Sequence, residues 1–256
     1  MTAAWQQDRA PIKWRPTFDT LTAAGCGLVI LALSALMGRL AGTSPLAAVL
    51  VRDVGMLVLA GILFPLWYIR RRGWQLADFG FHLRSWKLYL VLNAALGGLL
   101  AGLLWVSRGP WEIAFDAHTL GCILYIMLAG IFEVVFFYGF QLHLFENAFG
   151  TAVGIVLAAA FYSLHHLGFQ TEFVKLFFVG IMYGAACRWA RSVLIIYPFF
   201  WGVGALFDVL LQAQAITPIA WPWPRSGLVL VSICLLLHWG RQHWGCDLRQ
   251  GLDLQA

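Results

Sequence analysis

The stretch "AGIFEVVFFYGFQLH", Ala129 to His143, decides how this chain is read. It lies inside an apolar run from about 117 to 145, and one acid, Glu133, stands in its middle. A helix needs only ~20 apolar residues to cross ~30 Å of hydrocarbon. This run exceeds that length, so it tilts or projects beyond the membrane.

The rest of the chain follows suit. Of its 256 residues, 61% are hydrophobic and 11% are charged. A soluble domain is about half apolar and about a quarter charged. Eight spans are expected, near 19–40, 46–69, 88–106, 117–145, 150–168, 173–190, 193–213 and 226–240. The apolar runs are continuous and do not alternate, which argues for helices and against a barrel. The expected fold is an all-α polytopic bundle forming a single integral membrane domain over residues 1–256.

Basic residues set the orientation. The loop 70–87 carries Arg70, Arg71, Arg72, Arg84 and Lys87, whereas the segments on the other side hold only Arg39, Arg52, Arg108, Lys175 and Arg225. Positive loops stay inside, so both termini are expected in the cytoplasm, with residues 1–18 as a cytoplasmic segment. Topology then accounts for the net charge of +5, and a nucleic-acid partner has no support. The partners expected are the lipid bilayer and a membrane-embedded or membrane-proximal peptide. "WPWPR" at 221–225 reads as an interfacial belt. Five scattered cysteines form no C-x-x-C pair and no disulfide framework. The first apolar run is long enough to remain as an anchor, so no cleaved signal is expected.

In so apolar a chain the intramembrane polar residues carry the information. They are Glu133, His165, His166 and Asp208. The fourth and fifth spans should form a hairpin turning near 147–150. With helix ends near Phe145 and Thr151, Glu133 lies about 18 Å and His165 about 21 Å from the same face, at ~1.5 Å per residue. The two can meet. A carboxylate facing an imidazole can hold a water and take its proton. One Glu with one or two His is a thin ligand set for a divalent metal such as zinc, so no cofactor is required. Adjacent histidines on a helix point ~100° apart, so only one of the pair should face Glu133. The competing reading of Glu133 is a hydrogen bond across a helix interface that lends the bundle specificity. Asp208 either lines the same cavity or lies near the end of its span.

These residues resemble the CPBP group, the CAAX-protease and bacteriocin-processing (Abi) family of intramembrane proteases. "EVVFFYG", Glu133 to Gly139, matches the family's E-E-x-x-x-R motif at its first Glu and at the following Gly. "FYSLH", Phe161 to His165, matches F-x-x-x-H, and "RRRGWQLADFGF" resembles the Arg-rich loop upstream. Other positions depart. The second Glu falls on Val134 and the Arg on Tyr138, an i,i+4 pair lost together, with the Tyr138 hydroxyl available for one hydrogen bond. The third motif, H-x-x-x-N, should follow Pro198, but its His falls on Trp201 or Gly202 and its Asn on Ala205 or Leu206.

The resemblance implies an intramembrane endopeptidase with a catalytic-type core over about 117–213. Glu133 would be the general base and His165 would position the water. The Trp201 indole, or whichever of His165 and His166 is off the water, would replace the missing oxyanion donors. The family's eukaryotic role is processing of prenylated proteins. Nothing in this chain requires that, and the bacterial inner (cytoplasmic) membrane is the expected setting. The alternative is a degenerate member that binds a membrane peptide or partner without cleaving it, as a chaperone or immunity-type protein. A small transporter is disfavoured, because the polar residues cluster in one hairpin and no inverted repeat is visible.

Overall fold

The computed structural model describes residues 11–109, 115–170, 172–211 and 219–243. Residues 1–10 of the expected N-terminal segment, and Cys246, lie outside them. The described residues form eight helices and no strand. They are α1 (Phe18–Leu40), α2 (Pro45–Arg71), α3 (Trp86–Arg108), α4 (Ala117–Phe149), α5 (Thr151–Gly168), α6 (Phe173–Ala190), α7 (Phe199–Leu211) and α8 (Pro222–His243).

Six of them, α1 to α6, are long and apolar enough to cross a membrane. The expected span at 193–213 is corrected. Its first residues form a short 3-10 turn, Val193–Ile195, and the helix starts only after Pro198. What remains is about 20 Å long at ~1.5 Å per residue, short of ~30 Å. The expected eighth span coincides with α8, where proline, Arg225 and polar residues flank a short apolar centre; it is not among the six.

Local chemistry explains the helix ends. Thr17 and Thr20 form a reciprocal cap at the start of α1. Asp116 caps α4, its Oδ1 accepting the Thr119 N–H at 2.8 Å. Gly150, at φ 86°, takes a conformation that other residues resist and turns α4 directly into α5. The hairpin therefore falls where the sequence places it.

The long α4 is the axis of the bundle. Of its apolar window 56% is buried inside the protein, against 11% for the peripheral α3. Directly after Glu133 the helix widens into π geometry over Val134–Gln141. Phe136, Phe137 and Phe140 are buried there at the centre of the core. The basic loop is fastened to this axis. The Phe81 ring occupies the space a side chain at Gly139 would need, and the Gly80 carbonyl accepts the Val193 N–H at 3.2 Å.

Candidate active site

Glu133, His165 and His166 come together in the bundle interior, all three buried. Glu133 ends the regular part of α4. The histidines follow Leu164, where α5 tightens into a 3-10 turn over His165–Gly168. That turn corrects the expectation that only one histidine faces the acid. Both ring Nδ1 atoms donate to one acceptor, the Tyr162 carbonyl, at 2.9 Å for His166. The shared acceptor swings the rings alongside each other, with centroids 3.9 Å apart. His165 Nε2 then lies 3.4 Å, and His166 Nε2 3.9 Å, from Glu133 Oε1.

The turn is held from outside by α1. Gly168 donates its N–H to Ser34 Oγ at 3.1 Å, and a Cβ on Gly168 would meet the Ser34 carbonyl oxygen at 1.9 Å. Only glycine permits this approach. Aromatic rings hold the imidazoles: Phe137 lies 4.7 Å from His165 and Phe169 lies 4.9 Å from His166, centroid to centroid.

The other carboxylate oxygen, Oε2, accepts the Trp201 indole N–H at 2.8 Å. The group set aside for the oxyanion is donated to the acid instead. Gly130 makes room for it, since a Cβ there would sit 2.4 Å from the Trp201 ring. The Tyr162 hydroxyl also hydrogen-bonds Glu133. Tyr162 was not singled out from the sequence, although it lies one helical turn before His166 and so on the same face.

Each Nδ1 faces a carbonyl, which can only accept, so each Nδ1 carries the ring hydrogen. Each Nε2 then presents a lone pair. Two lone pairs and Oε1 thus converge on one small volume, and His165 Nε2 has no hydrogen-bond partner among the described residues. Three acceptors facing each other need a proton, a water or a cation between them. A divalent ion would find its ligands here: the three donor atoms lie within 4.8 Å of one another, close to the spacing around a tetrahedral zinc.

A cavity of about 230 Å³ opens onto this cluster. Glu133, His166, Tyr162, Trp201 and Asp208 line it, with apolar walls from α3 and α6, while His165 lies behind. Asp208 does line the cavity, but its Oδ1 is paired with Lys175 Nζ at 2.7 Å. Ala205, at one of the two positions expected for the third-motif Asn, lines the cavity and offers no donor. The Tyr138 hydroxyl does not make the hydrogen bond expected of it. It is buried without a partner among the described residues, its ring packed on Tyr162 and Tyr183.

Residues 117–206 match the family model described as type II CAAX prenyl endopeptidase Rce1-like. Over this stretch the chain belongs to the Rce1-like family. The match begins with α4 and ends in α7, so it takes in every residue of the Glu133 cluster. An Rce1-like segment in a bundle of apolar helices supports an intramembrane endopeptidase kind of function in an integral membrane protein. No curated protein and no solved structure matches the chain.

Proposed function

We propose that the chain is an intramembrane endopeptidase in which Glu133 is the general base for a water held against the histidine pair. One observation carries this reading: three acceptor atoms converge with no donor between them, at the floor of a cavity. A water is the neutral species that satisfies two of them, one O–H toward Oε1 and one toward an Nε2, leaving a lone pair for attack. Glu133 takes the first proton as the water oxygen bonds to the peptide carbonyl carbon. The same proton passes to the leaving nitrogen as the C–N bond breaks. Trp201 and Tyr162 hold the carboxylate in register. His165, behind the acid, orients the water, and His166, on the cavity wall, faces the reacting carbonyl.

The substrate in this reading is a membrane-embedded or membrane-proximal segment of a protein, bound along the apolar walls. With both termini in the cytoplasm, the ends of α2, α3 and α6 that carry Arg52, Arg108 and Lys175 face outward, and the cavity opens toward them. The reading is metal-free, so a chelator should leave activity unchanged. Loss on chelation, restored by zinc, would assign the three acceptors to an ion instead.

The test compares membrane-protein termini by mass spectrometry in cells carrying wild type or Glu133→Gln at equal abundance. A terminus found only with wild type, and reproduced with purified components, is the expected result. A second reading, a family member that binds without cutting, is favoured by Ala205 lacking a donor and by the Trp201 N–H being held on Glu133. It requires identical termini in the two strains alongside a lost phenotype.

A further inference from the structure

Arg52 lies on the wall of the same cavity and takes no part in the Glu133 cluster. It sits two turns into α2, with its guanidinium 5.4 Å from the centre of the Tyr125 ring and 4.7 Å from that of Phe169. Its Nε is buried with no hydrogen-bond partner among the described residues. No described acid nearby is left to serve it. Asp53, its chain neighbour, has both oxygens on Arg225, at 2.7 and 2.8 Å, and accepts the Tyr125 hydroxyl at 2.5 Å. The two acids on the cavity wall are engaged as well, Glu133 by Trp201 and Asp208 by Lys175.

A cation among apolar helices is costly unless something compensates it. Rings beside a guanidinium compensate part of the cost while leaving its N–H fork open. That fork matches one kind of ligand best, a carboxylate, which it can bind through two parallel hydrogen bonds. Arg108 and Lys175 line the same cavity and add positive potential that would draw an anion inward.

We propose that Arg52 anchors a carboxylate of the bound peptide and so selects which peptide bond lies against Glu133. This rests on reading the cavity as a peptide site. The carboxylate comes either from the chain end or from an acidic side chain close to the scissile bond.

The experiment measures thermal protection of the purified full chain in detergent, since a ligand that binds the folded state raises its unfolding temperature. The probes are acetyl-Leu-Leu-Phe as the free acid, the same peptide as its C-terminal amide, and acetyl-Leu-Asp-Phe amide, at millimolar concentration. In wild type and in Glu133→Gln the free acid should bind roughly 10- to 100-fold more tightly than its amide, the worth of hydrogen bonds to a charged group. Arg52→Gln should erase that difference. Preference for the free acid alone assigns the chain end, and equal preference for the Asp peptide assigns any nearby carboxylate. Equal protection by all three peptides, no protection by any, or an acid preference that survives in Arg52→Gln overturns the proposal. If Arg52→Gln does not accumulate, the acid-to-amide comparison on Glu133→Gln decides alone. Because that variant cannot turn over substrate, acid-selective binding without cleavage would sink only the peptidase reading. Cleavage without acid selectivity would sink only this one.

Discussion

Two polar clusters lie inside this bundle, and they are built in opposite ways. Around Asp53 every strong group has its match. Arg225 holds both carboxylate oxygens, and the Tyr125 hydroxyl is bonded to Asp53 and to Arg225. Around Glu133 one oxygen is held by Trp201, while the other faces two imidazole lone pairs across 3.4 and 3.9 Å. The first arrangement is complete in itself and ties α2, α4 and α8 together. The second leaves an unmet requirement for a proton-bearing or cationic species, and it borders a cavity. Burial alone therefore does not mark chemistry in a membrane bundle; an incomplete set of partners beside a cavity does.

The comparison can be broken by mutation. Glu133→Gln keeps shape and hydrogen-bonding capacity, so cleavage should fall by roughly 10²- to 10⁴-fold while membrane abundance and unfolding temperature stay near wild type. A fall in abundance that matches the fall in activity would make Glu133 a structural residue like Asp53. Asp53→Ala should behave in the opposite way. It strands the buried Arg225 and should destabilise the protein by about 3–5 kcal/mol, read as a lowered midpoint of thermal unfolding in detergent. Replacing both partners, Asp53→Leu with Arg225→Met, should recover most of that loss, because no charge is left unpaired. A double variant no better than Asp53→Ala would show that the ion pair is not the source of the stability.

Smaller effects sharpen the boundary between the clusters. Trp201→Phe removes one charge-assisted hydrogen bond from Glu133 and should slow cleavage roughly 10- to 100-fold with little change in substrate affinity. An unchanged rate would mean the indole N–H has no part in holding the acid. Tyr138→Phe removes a hydroxyl with no partner among the described residues. Its unfolding temperature and rate should stay at or slightly above wild type, within about 0.5 kcal/mol. A clear loss in either would reveal a partner for that hydroxyl in the working protein.

Much of this was legible in the residues. Continuous apolar runs located six spans, and the hairpin turn at Gly150 with ~1.5 Å of rise per residue brought Glu133 to the depth of His165. The side chains that depend on non-ideal helix geometry were not legible. Both histidines face the acid because α5 tightens into a 3-10 turn, and an α-helical wheel has no place for that. Asp53 was missed although it lies inside an expected span, and Arg225 was read as part of an interfacial belt. Neither residue reveals its pairing alone, because their contact joins α2 to α8 across 172 positions of sequence. Trp201 was singled out for the right site and the wrong partner, since the space that Gly130 leaves for its ring exists only once α4 and α7 are packed.

The π geometry of Val134–Gln141 carries a consequence for chain length. Wide turns hold more residues per revolution than an α-helix does, so this segment contains an extra residue relative to regular winding. Removing one residue between Val134 and Gln141 would let α4 close up into regular winding and turn everything after it by ~100° relative to Glu133. Gln141 would swing away from the Ala23 carbonyl, which it reaches at 3.2 Å, and Phe145 would leave the Phe161 ring 5.8 Å away. Point substitutions that keep size should be absorbed in this stretch. A deletion of any single codon in it would uncouple the acid from the hairpin that delivers its histidines.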